Sequence, residues 1–431
     1  MVVKTSDATP PDRFVPAGVL ITHDAAIAHL RERIAPIVGR ETVALASASG
    51  RILARPIVAG HPVPLHTNSA VDGYAFLHAE FAADPARVWP VAGRAAAGHP
   101  FRTDRTPGSV VRALTGAVMP ADTDTVAMQE DCTVAADGHA VRLPADLTCG
   151  ANVRKAGEDV ASGTTLFDAG HVLRPQDLAA LASVGVADVP VFRRLRIAVV
   201  STGDEVRAPG SGQIDIGEVY DANTAMLMAL CAAGGAEVVS LGILADDAAL
   251  VERTLNEAAQ AYDVVLTSGG ASQGEEDHMA AALAKLGSRH FWQIAIKPGR
   301  PMMFGEIGRT VVVGLPGNPV AVFVCGLMYA HPLLRRLGGG RWPVPRRYKL
   351  PAAFRFENRK VGRREFWRGI LSETASGLKV DKFARDGSGL ISGLRAADGL
   401  IDIPEHVTAV AEGDLVDFIP FSEFGIAPAV R

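Results

Sequence analysis

The chain has 431 residues, too many for one ordinary hydrophobic core, so we expect two to four domains. Apolar residues make up 48% of the chain, and the formal net charge of −4 comes from charges scattered along its length, which argues against a nucleic-acid-binding protein. No stretch approaches a membrane span, the amino terminus lacks an apolar signal-peptide core, and the four cysteines show no metal-ligand spacing, so we expect a cytoplasmic protein without membrane contacts.

The amino-terminal part predicts one amphipathic helix and many short strands. Apolar residues recur at helical spacing between Thr22 and about Pro36. From 88 to 142, short apolar or alternating runs are broken by Gly, Pro and Asp, which predicts an all-β unit. A second helix is indicated from about Pro175, since proline suits the first helical turn.

Four polar residues of this part are candidates for a site. Asp72 lies in a tight bend, for which an ordinary turn is the favoured local explanation. Thr115 supplies a hydroxyl at a bend after an apolar run. Arg154 and Asp159 flank a glycine with further charges around it. Charges packed this closely form either a solvated ion-pair cluster or one wall of a charged site.

From about Val191, apolar runs alternate with helical patterns. A β, α, β, α order of this kind predicts a parallel, doubly wound sheet whose loops gather at one edge. Three turns after predicted strands combine hydroxyl, glycine and carboxylate groups or carry paired carboxylates. We therefore expect them to meet on one rim: 202–205, 246–247 and 268–277.

The loop after the strand 264–266 has the strongest signal of the three. Its sequence TSGGASQGEED lies between the carboxyl end of a strand and the start of a helix, where ligands bind in open α/β sheets. Glycines allow close backbone approach, and the carboxylates suit a hard cation such as Mg²⁺. Taken alone, however, a loop rich in Gly and Ser is often only a turn.

Basic groups and a second rigid turn follow along the chain. Lys297 and Arg300 surround Pro298 after a strand, and the sequence PGNP at 316–319 leads into an apolar helix. Such a helix start can offer N–H groups to an anion, and the two cations can neutralise phosphate. Beyond Leu337 a linker-like stretch precedes short strands that predict a small β domain.

Together these stretches resemble the molybdopterin molybdenumtransferase family, to which the E domain of gephyrin also belongs. The resemblance covers about 68–405 in the family's order, with the motifs NSAVDGYAF, LTGAVMP, VRKAGEDV, VSTGDEV, GEVYDANTAML, LADD, TSGGASQGEEDH, KPGRPMMFG, GLPGNPVAVF, GRREFWRG and SGLRAADGLIDIPE. The chain departs from it at Gln273, Glu275 and Glu276, where relatives often carry other residues. Arg300 stands where lysine is common, which keeps the charge but changes a point donor into a fork.

The resemblance implies an α/β multidomain protomer of four parts. These are a helical dimerisation part (15–45 and 143–185), a β insertion (46–142), a doubly wound molybdopterin-binding α/β part (186–338) and a carboxyl-terminal β barrel (339–431). It also implies a homodimer with a composite site between the α/β part of one protomer and the β insertion of the other. Contacts with a molybdopterin adenylyltransferase and with recipient molybdoenzymes are further expectations.

The reaction implied by the resemblance takes adenylylated molybdopterin and molybdate, uses Mg²⁺, and releases AMP as molybdenum is inserted. The residues implied as catalytic are Asp72, Thr115, Glu205, Asp246, Asp277, Lys297 and Arg300. Those implied to bind the molybdopterin substrate are Arg154, Asp159, Thr202, Ser268, Gly269, Gly270, Ser272, Pro316, Pro319 and Ser388. The implied magnesium ligands are Glu205, Asp247 and Asp277.

Two other functions remain open at the level of sequence. The α/β part alone also resembles molybdopterin adenylyltransferases, and a scaffold could bind molybdopterin without turnover. The sequence shows no Ser, Cys or His arrangement for a covalent nucleophile, so attack by water or by a molybdate oxygen is preferred. A paralogue that handles tungstate also remains open.

Overall fold

A seven-stranded sheet lies at the centre of the chain, whose computed structural model describes residues 20–269, 278–375 and 377–428. In sheet order its strands are Leu20–Ile21, Ser288–Ile294, Pro301–Ile307, Thr310–Leu315, Val264–Ser268, Arg196–Thr202 and Glu237–Leu244. The last four are parallel to one another, and Pro301–Ile307 is antiparallel to both strands beside it. The predicted α/β sheet is therefore confirmed, with an antiparallel extension on one side.

Helices cover both faces of this sheet. Side chains alternate along each strand, so Ile197 and Val199 pack on one face while Ala198 and Val200 pack on the other. The first face carries the helices His23–Arg33, Asn223–Ala233, Pro319–Cys325 and His331–Leu337, the last two joined by the π-helical turn Gly326–Ala330. The opposite face carries Ala248–Ala261 and His278–Leu286.

The strand order reverses beside Arg196–Thr202. From this strand the chain passes to Glu237–Leu244 on one side, and from there crosses to Val264–Ser268 on the other side. The two connecting helices lie on opposite faces of the sheet. A crevice is expected outside the carboxyl ends of strands that flank such a switch point.

The position of the first helix differs from the sequence-based expectation, which grouped 15–45 with 143–185. Ala26 and Leu30 are buried in the core of the α/β unit, and Leu20–Ile21 adds a parallel strand to its sheet. The apolar spacing of the helix indicates that one face is buried, but it cannot say against which unit.

A small unit connects the α/β part to the β insertion. Arg40–Ala44 pairs with Asp188–Phe192, and Ile57–Val58 pairs with Thr165–Phe167. In the described ranges of 143–185, the part expected to be helical has one α-helix, Pro175–Ser183. Its other elements are short strands.

The β insertion is a six-stranded sheet. Its strands in order are Thr125–Met128, Gly73–Phe76, Val110–Ala113, Val88–Ala95, Ala140–Arg142 and Thr133–Val134. Trp89 and Phe76 are fully buried in its core, beside the short helix His78–Ala83. The two-residue strands Asn68–Ser69 and Val153–Arg154 pair at its base.

The carboxyl-terminal unit is a curved sheet that also includes a piece of the α/β part. Its strands in order are Ile296–Lys297, Arg364–Thr374, Gly399–Ile403, Leu415–Pro420 and Tyr348–Pro351, and Gly377–Lys382 pairs with Arg364–Thr374 off this path. A bridge between Ala352 and Val380 joins the end of the strand Tyr348–Pro351 to the strand Gly377–Lys382, so the sheet curves round on itself. The helix Ile391–Ala396 lies beside it.

The helix 319–337 is long and apolar enough to span a membrane by length and composition alone. Its burial inside the protein, 78% of the most apolar window, identifies it as a core helix of the α/β unit. The sequence-based statement that no stretch approaches a membrane span was therefore too strong.

Candidate functional site

The carboxyl ends of the parallel strands lie side by side. Ser201 is in register with Ser268, and Ser268 with Leu315, while Thr202 is in register with Leu244. The turns that follow these strands therefore start at one edge, which confirms the predicted rim for the described residues. The predicted site residues Gly270, Ser272 and Asp277 lie outside the described ranges.

Two predicted binding residues, Thr202 and Gly269, touch at the switch point. Gly269 has a left-handed backbone, with φ +89°, and an added Cβ would lie 2.9 Å from Thr202 Oγ1 and 3.0 Å from its carbonyl oxygen. A residue with a side chain would therefore push the two turns apart. Only glycine permits this approach without strain.

Asn223 ties the predicted Ser268 to the PGNP turn. Its Nδ2 donates to Ser268 Oγ and to the Gly317 carbonyl oxygen, each at 2.7 Å. Because a carbonyl can only accept, this contact determines the orientation of the amide. Asn223 is buried and its Oδ1 has no hydrogen-bond partner in the described structure. The sequence did not predict this role of Asn223.

The carboxyl group of Asp221 holds the start of the helix that carries Asn223. It accepts from the backbone N–H groups of Asn223 and Thr224, at 2.9 and 3.0 Å, and from Thr224 Oγ1 at 2.6 Å. Burial opposes ionisation of Asp221, but these hydrogen bonds lower its pKa overall. The helix is thereby anchored at the end that faces the rim.

Two acidic turns of the rim, at Asp204 and Asp246, are joined by hydrogen bonds. The backbone N–H of Asp246 donates to Asp204 Oδ1 at 3.0 Å, and the N–H of Asp204 donates to Asp246 Oδ2 at 3.4 Å. The carboxylate of Glu205 folds back over Gly203, where an added Cβ would lie 2.5 Å from Glu205 Oε2. Glu205 and Asp246 are both exposed, so their oxygens face solvent on neighbouring turns.

Asp247, a predicted magnesium ligand, has a structural role. Its Oδ1 accepts the backbone N–H of Leu250 at 2.6 Å and caps the helix Ala248–Ala261. Within the described ranges, no three His, Cys, Asp or Glu side chains form a group that could hold a metal ion. Mg²⁺ keeps several waters and needs only one or two protein carboxylates in addition to substrate phosphates. The exposed side chains of Glu205 and Asp246 could supply those carboxylates.

A cleft of about 500 Å³ opens between this rim and the carboxyl-terminal unit. The predicted site residues that line it are Gly269, Lys297, Arg300, Pro316 and Ser388. Other residues of the lining were not predicted: Trp367, Arg368, Lys382, Phe383 and Asp386. The first two lie in the motif GRREFWRG, so the signal was present, but a strand motif does not show which cleft its side chains face.

Among the described residues, four cations and one carboxylate line the cleft, so the described part of its lining is positive. The buried Arg368 donates to the carbonyl oxygens of Arg385 and Leu390, at 2.7 and 3.1 Å, and burial lowers its pKa. Lys382 Nζ lies 2.6 Å from Asp386 Oδ1. The hydrogen bond from Lys382 lowers the pKa of Asp386, and the charges of Lys297 and Arg368 lower it further. Such a cleft favours an anionic ligand.

The PGNP turn is used differently from the prediction. Pro319 begins the helix, and the backbone N–H of Val320 donates to the Ser388 carbonyl oxygen at 2.9 Å. This N–H is therefore not available to an anion. Ser388 thus holds the helix start through its backbone, and it also lies in the cleft lining, where its binding role stays a prediction.

The four site residues predicted in the amino-terminal half lie in or at the base of the β insertion. Asp72 Oδ1 accepts from the backbone N–H and the Oγ1 of Thr115, at 2.8 and 2.7 Å, and these hydrogen bonds lower the pKa of Asp72. Arg154 is exposed beside Asn68, and Asp159 is exposed at the neighbouring turn. None of the four is among the described residues that line the cleft.

Three family models match the chain. They are the MoeA N-terminal region (domain I and II) over 21–185, the probable molybdopterin binding domain over 198–336, and the MoeA C-terminal region (domain IV) over 349–421. Together they span both the rim and the unit across the cleft.

Curated relatives and solved structures agree with these models. The chain is 35% identical to the molybdopterin molybdenumtransferase of Haemophilus influenzae, over 94% of this chain and 99% of the relative. It is 34% identical to molybdopterin molybdenumtransferase 2 of Mycobacterium tuberculosis, over 91% and 96%. A crystal structure of the molybdopterin biosynthesis moeA protein from Pyrococcus horikoshii OT3 superposes with a TM-score of 0.79 at 27% identity, over 93% of this chain and 100% of that one. The chain therefore belongs to the MoeA family of molybdopterin molybdenumtransferases.

Proposed function

We propose that this protein inserts molybdenum from molybdate into adenylylated molybdopterin, with Mg²⁺-dependent release of AMP. The observation that carries the proposal is the cleft lined by Lys297, Arg300, Arg368 and Lys382 where the strand ends meet the carboxyl-terminal unit. Molybdate is a dianion and the other substrate carries phosphate groups, so both need cationic donors. The relatives' names supply the reaction class.

In the proposed reaction the basic residues bind the oxyanions and the acidic residues bind Mg²⁺. Lys297, Arg300 and Arg368 bind and orient the oxyanions, because their charges face one space and are partly preorganised by neighbouring groups. Glu205 and Asp246 present carboxylate oxygens at the acidic edge and would hold Mg²⁺. When bound there, the ion would neutralise phosphate oxygens as AMP leaves.

We also propose a homodimer with a composite site. Asp72 and Thr115 form an exposed, hydrogen-bonded pair in the β insertion, yet they lie outside the lining of the cleft in the described part of the same chain. A second copy would bring them to the cleft. The ionised Asp72 would then face the acidic rim across the substrate and help to orient a bound water or Mg²⁺.

The two alternative functions, adenylyl transfer and non-catalytic binding, predict different substrates and products. An adenylyltransferase would consume ATP, and a scaffold would bind molybdopterin without releasing AMP. The matches to MoeA regions on both sides of the central domain favour the molybdenum-inserting function, because a molybdopterin-binding domain alone would suffice for the first alternative.

Incubation of the purified protein with adenylylated molybdopterin, Mg²⁺ and molybdate tests the function. AMP and active molybdenum cofactor should both appear, and neither should form without molybdate. Lys297→Ala and Arg368→Ala should each lower the rate by tenfold or more, roughly the effect of losing a charge-assisted contact. Arg309→Ala, an exposed position of the same α/β unit, serves as the control. Absence of AMP release under these conditions, or transfer of the adenylyl group of ATP to molybdopterin with release of pyrophosphate and no need for molybdate, would refute the proposal.

A further inference from the structure

A buried carboxylate lies directly behind Lys297. Glu365, in the carboxyl-terminal unit, is 4% exposed. Its Oε2 accepts from Trp367 Nε1 at 2.9 Å and lies 3.4 Å from Lys297 Nζ. The Lys297 side chain is 49% exposed and lines the cleft. The ammonium group thus faces the cleft with a fixed negative charge at its back.

The backbone joins the two units at the same point. Lys297 and Glu365 are register partners in a parallel strand pair, and the Arg364 N–H donates to the Ala295 carbonyl oxygen at 2.8 Å. The position of Lys297 is therefore set by the carboxyl-terminal unit as well as by its own.

The second cation near Glu365 cannot replace Lys297. Arg359 Nε lies 4.0 Å from Glu365 Oε1, too far for a good hydrogen bond. This Nε is buried without a hydrogen-bond partner among the described residues. The Arg359 guanidinium instead donates to the carbonyl oxygens of Arg363 and Pro404. The short contacts of the Glu365 carboxylate are therefore with Lys297 and Trp367.

A long lysine side chain in a cationic cleft needs such an anchor. Repulsion from Arg300, Arg368 and Lys382 would move a free ammonium group toward solvent, and a free lysine retains considerable rotamer entropy. We propose that Glu365 is a positioning residue that holds the Lys297 ammonium in the cleft for the molybdate oxyanion. This inference rests on the proposed function of the cleft. It extends that function by assigning part of the site's preorganisation to a residue of the carboxyl-terminal unit that acts only through Lys297.

A double-mutant cycle tests the inference. Glu365→Gln keeps the size of the side chain and can still accept from Trp367, but it removes the charge. It should lower kcat/KM for molybdate by about tenfold in the natural chain, and by less than about twofold in a Lys297→Ala background. Equal losses in both backgrounds would show that Glu365 does not act through Lys297, and the inference would fail.

Two further variants separate positioning from general structure. Trp367→Phe removes the indole donor to Glu365, together with part of the ring that Lys382 lies over. It should give a smaller loss, and the part due to the donor should disappear in the Lys297→Ala background. Glu373→Gln changes an exposed glutamate of the same strand and should have no effect. Thermal unfolding of each protein identifies variants that are merely unstable. If Glu365→Gln unfolds at a lower temperature, Trp367→Phe carries the test.

Molybdate binding, measured by calorimetry on the same proteins, gives a readout that does not need turnover. Loss of positioning should weaken binding in Glu365→Gln, whereas loss of a nearby negative charge alone should tighten it. Tighter binding would overturn the inference. If the natural chain binds molybdate but forms no AMP, the proposed reaction fails and the binding cycle still decides the role of Glu365; if it neither binds nor reacts, both proposals fail.

Discussion

Gly269 and Gly308 show how one residue can decide the geometry of the rim. Both have left-handed backbones, with φ +89° and +60°, but a Cβ at Gly308 would meet nothing within 4 Å, whereas one at Gly269 would press on Thr202. Both positions require a left-handed backbone, but of the two only Gly269 is in close contact with a neighbouring turn. The two positions therefore separate backbone strain from the spacing of the turns.

We expect Gly269→Ala to lower activity on the order of a hundredfold, because displacement of the turn by a fraction of an ångström misplaces the bound substrate. Gly308→Ala should cost only about 1–2 kcal/mol of unfolding free energy and leave activity unchanged. Steady-state kinetics and urea unfolding of both variants measure the difference. Similar activities in the two variants would contradict the role given to the contact with Thr202.

At the scale of elements, two helix starts depend on buried carboxylates that accept backbone N–H groups, those of Asp221 and Asp177. Asp177, at the start of the helix Pro175–Ser183, is buried and accepts several hydrogen bonds. It accepts from the Arg174 N–H at 2.9 Å, from Arg174 Nη2 at 2.8 Å and from His171 Nε2 at 2.7 Å. The Arg174 side chain makes the largest contribution to holding the pKa of Asp177 well below its ordinary value of 3.8.

The sign of this shift predicts how stability depends on pH. A carboxyl group with a lowered folded-state pKa stabilises the fold above its unfolded pKa, and this contribution is lost as the pH falls below 3.8 toward the folded value. The unfolding free energy should therefore drop as the pH falls below about 4. In Asp177→Asn this part of the drop should be missing, and stability at neutral pH should be about 1–3 kcal/mol lower.

Urea unfolding followed by circular dichroism, from neutral pH down to about pH 3, measures this dependence. Asp188→Asn, an exposed aspartate of the same unit, is the matched control and should keep the full drop. An unchanged pH profile in Asp177→Asn would show that its hydrogen bonds do not stabilise the fold.

At the scale of the whole molecule, the site residues fall into two groups. Lys297 and Arg368 face one cleft, and the Asp72–Thr115 pair lies in the β insertion, held by its own sheet and core. The proposed homodimer unites them, because each site would take its cleft from one protomer and its insertion from the other.

Mixing two inactive variants tests this arrangement. Asp72→Ala and Lys297→Ala each damage both sites of their own dimers, but a mixed dimer has one site with both changes and one with neither. We expect roughly half of the activity per mixed dimer to return. Absence of recovery in a verified heterodimer would contradict a shared site, and recovery is measured as AMP release after refolding the mixture.

Much of the site was predictable because it follows strand ends. The succession of apolar run, hydroxyl and glycine at Thr202 and Ser268 predicts that both residues lie at one sheet edge. Arg368 could not be assigned in this way, since alternation along a strand identifies two faces but not the neighbour that each face meets. Asn223 was missed because a residue near a helix start has a sufficient local explanation as a cap.

The amino-acid sequence by itself determined the alternation of strands and helices, the rim of turns, and the likeness to a family, because these depend on local periodicity and on motifs in order. The tertiary structure alone decided that His23–Arg33 packs with the α/β core, that Asp247 caps a helix, and that Glu365 stands behind Lys297. Each of these is a contact between residues far apart in the chain. Their pairing depends on how apolar faces are buried together, which no single segment encodes.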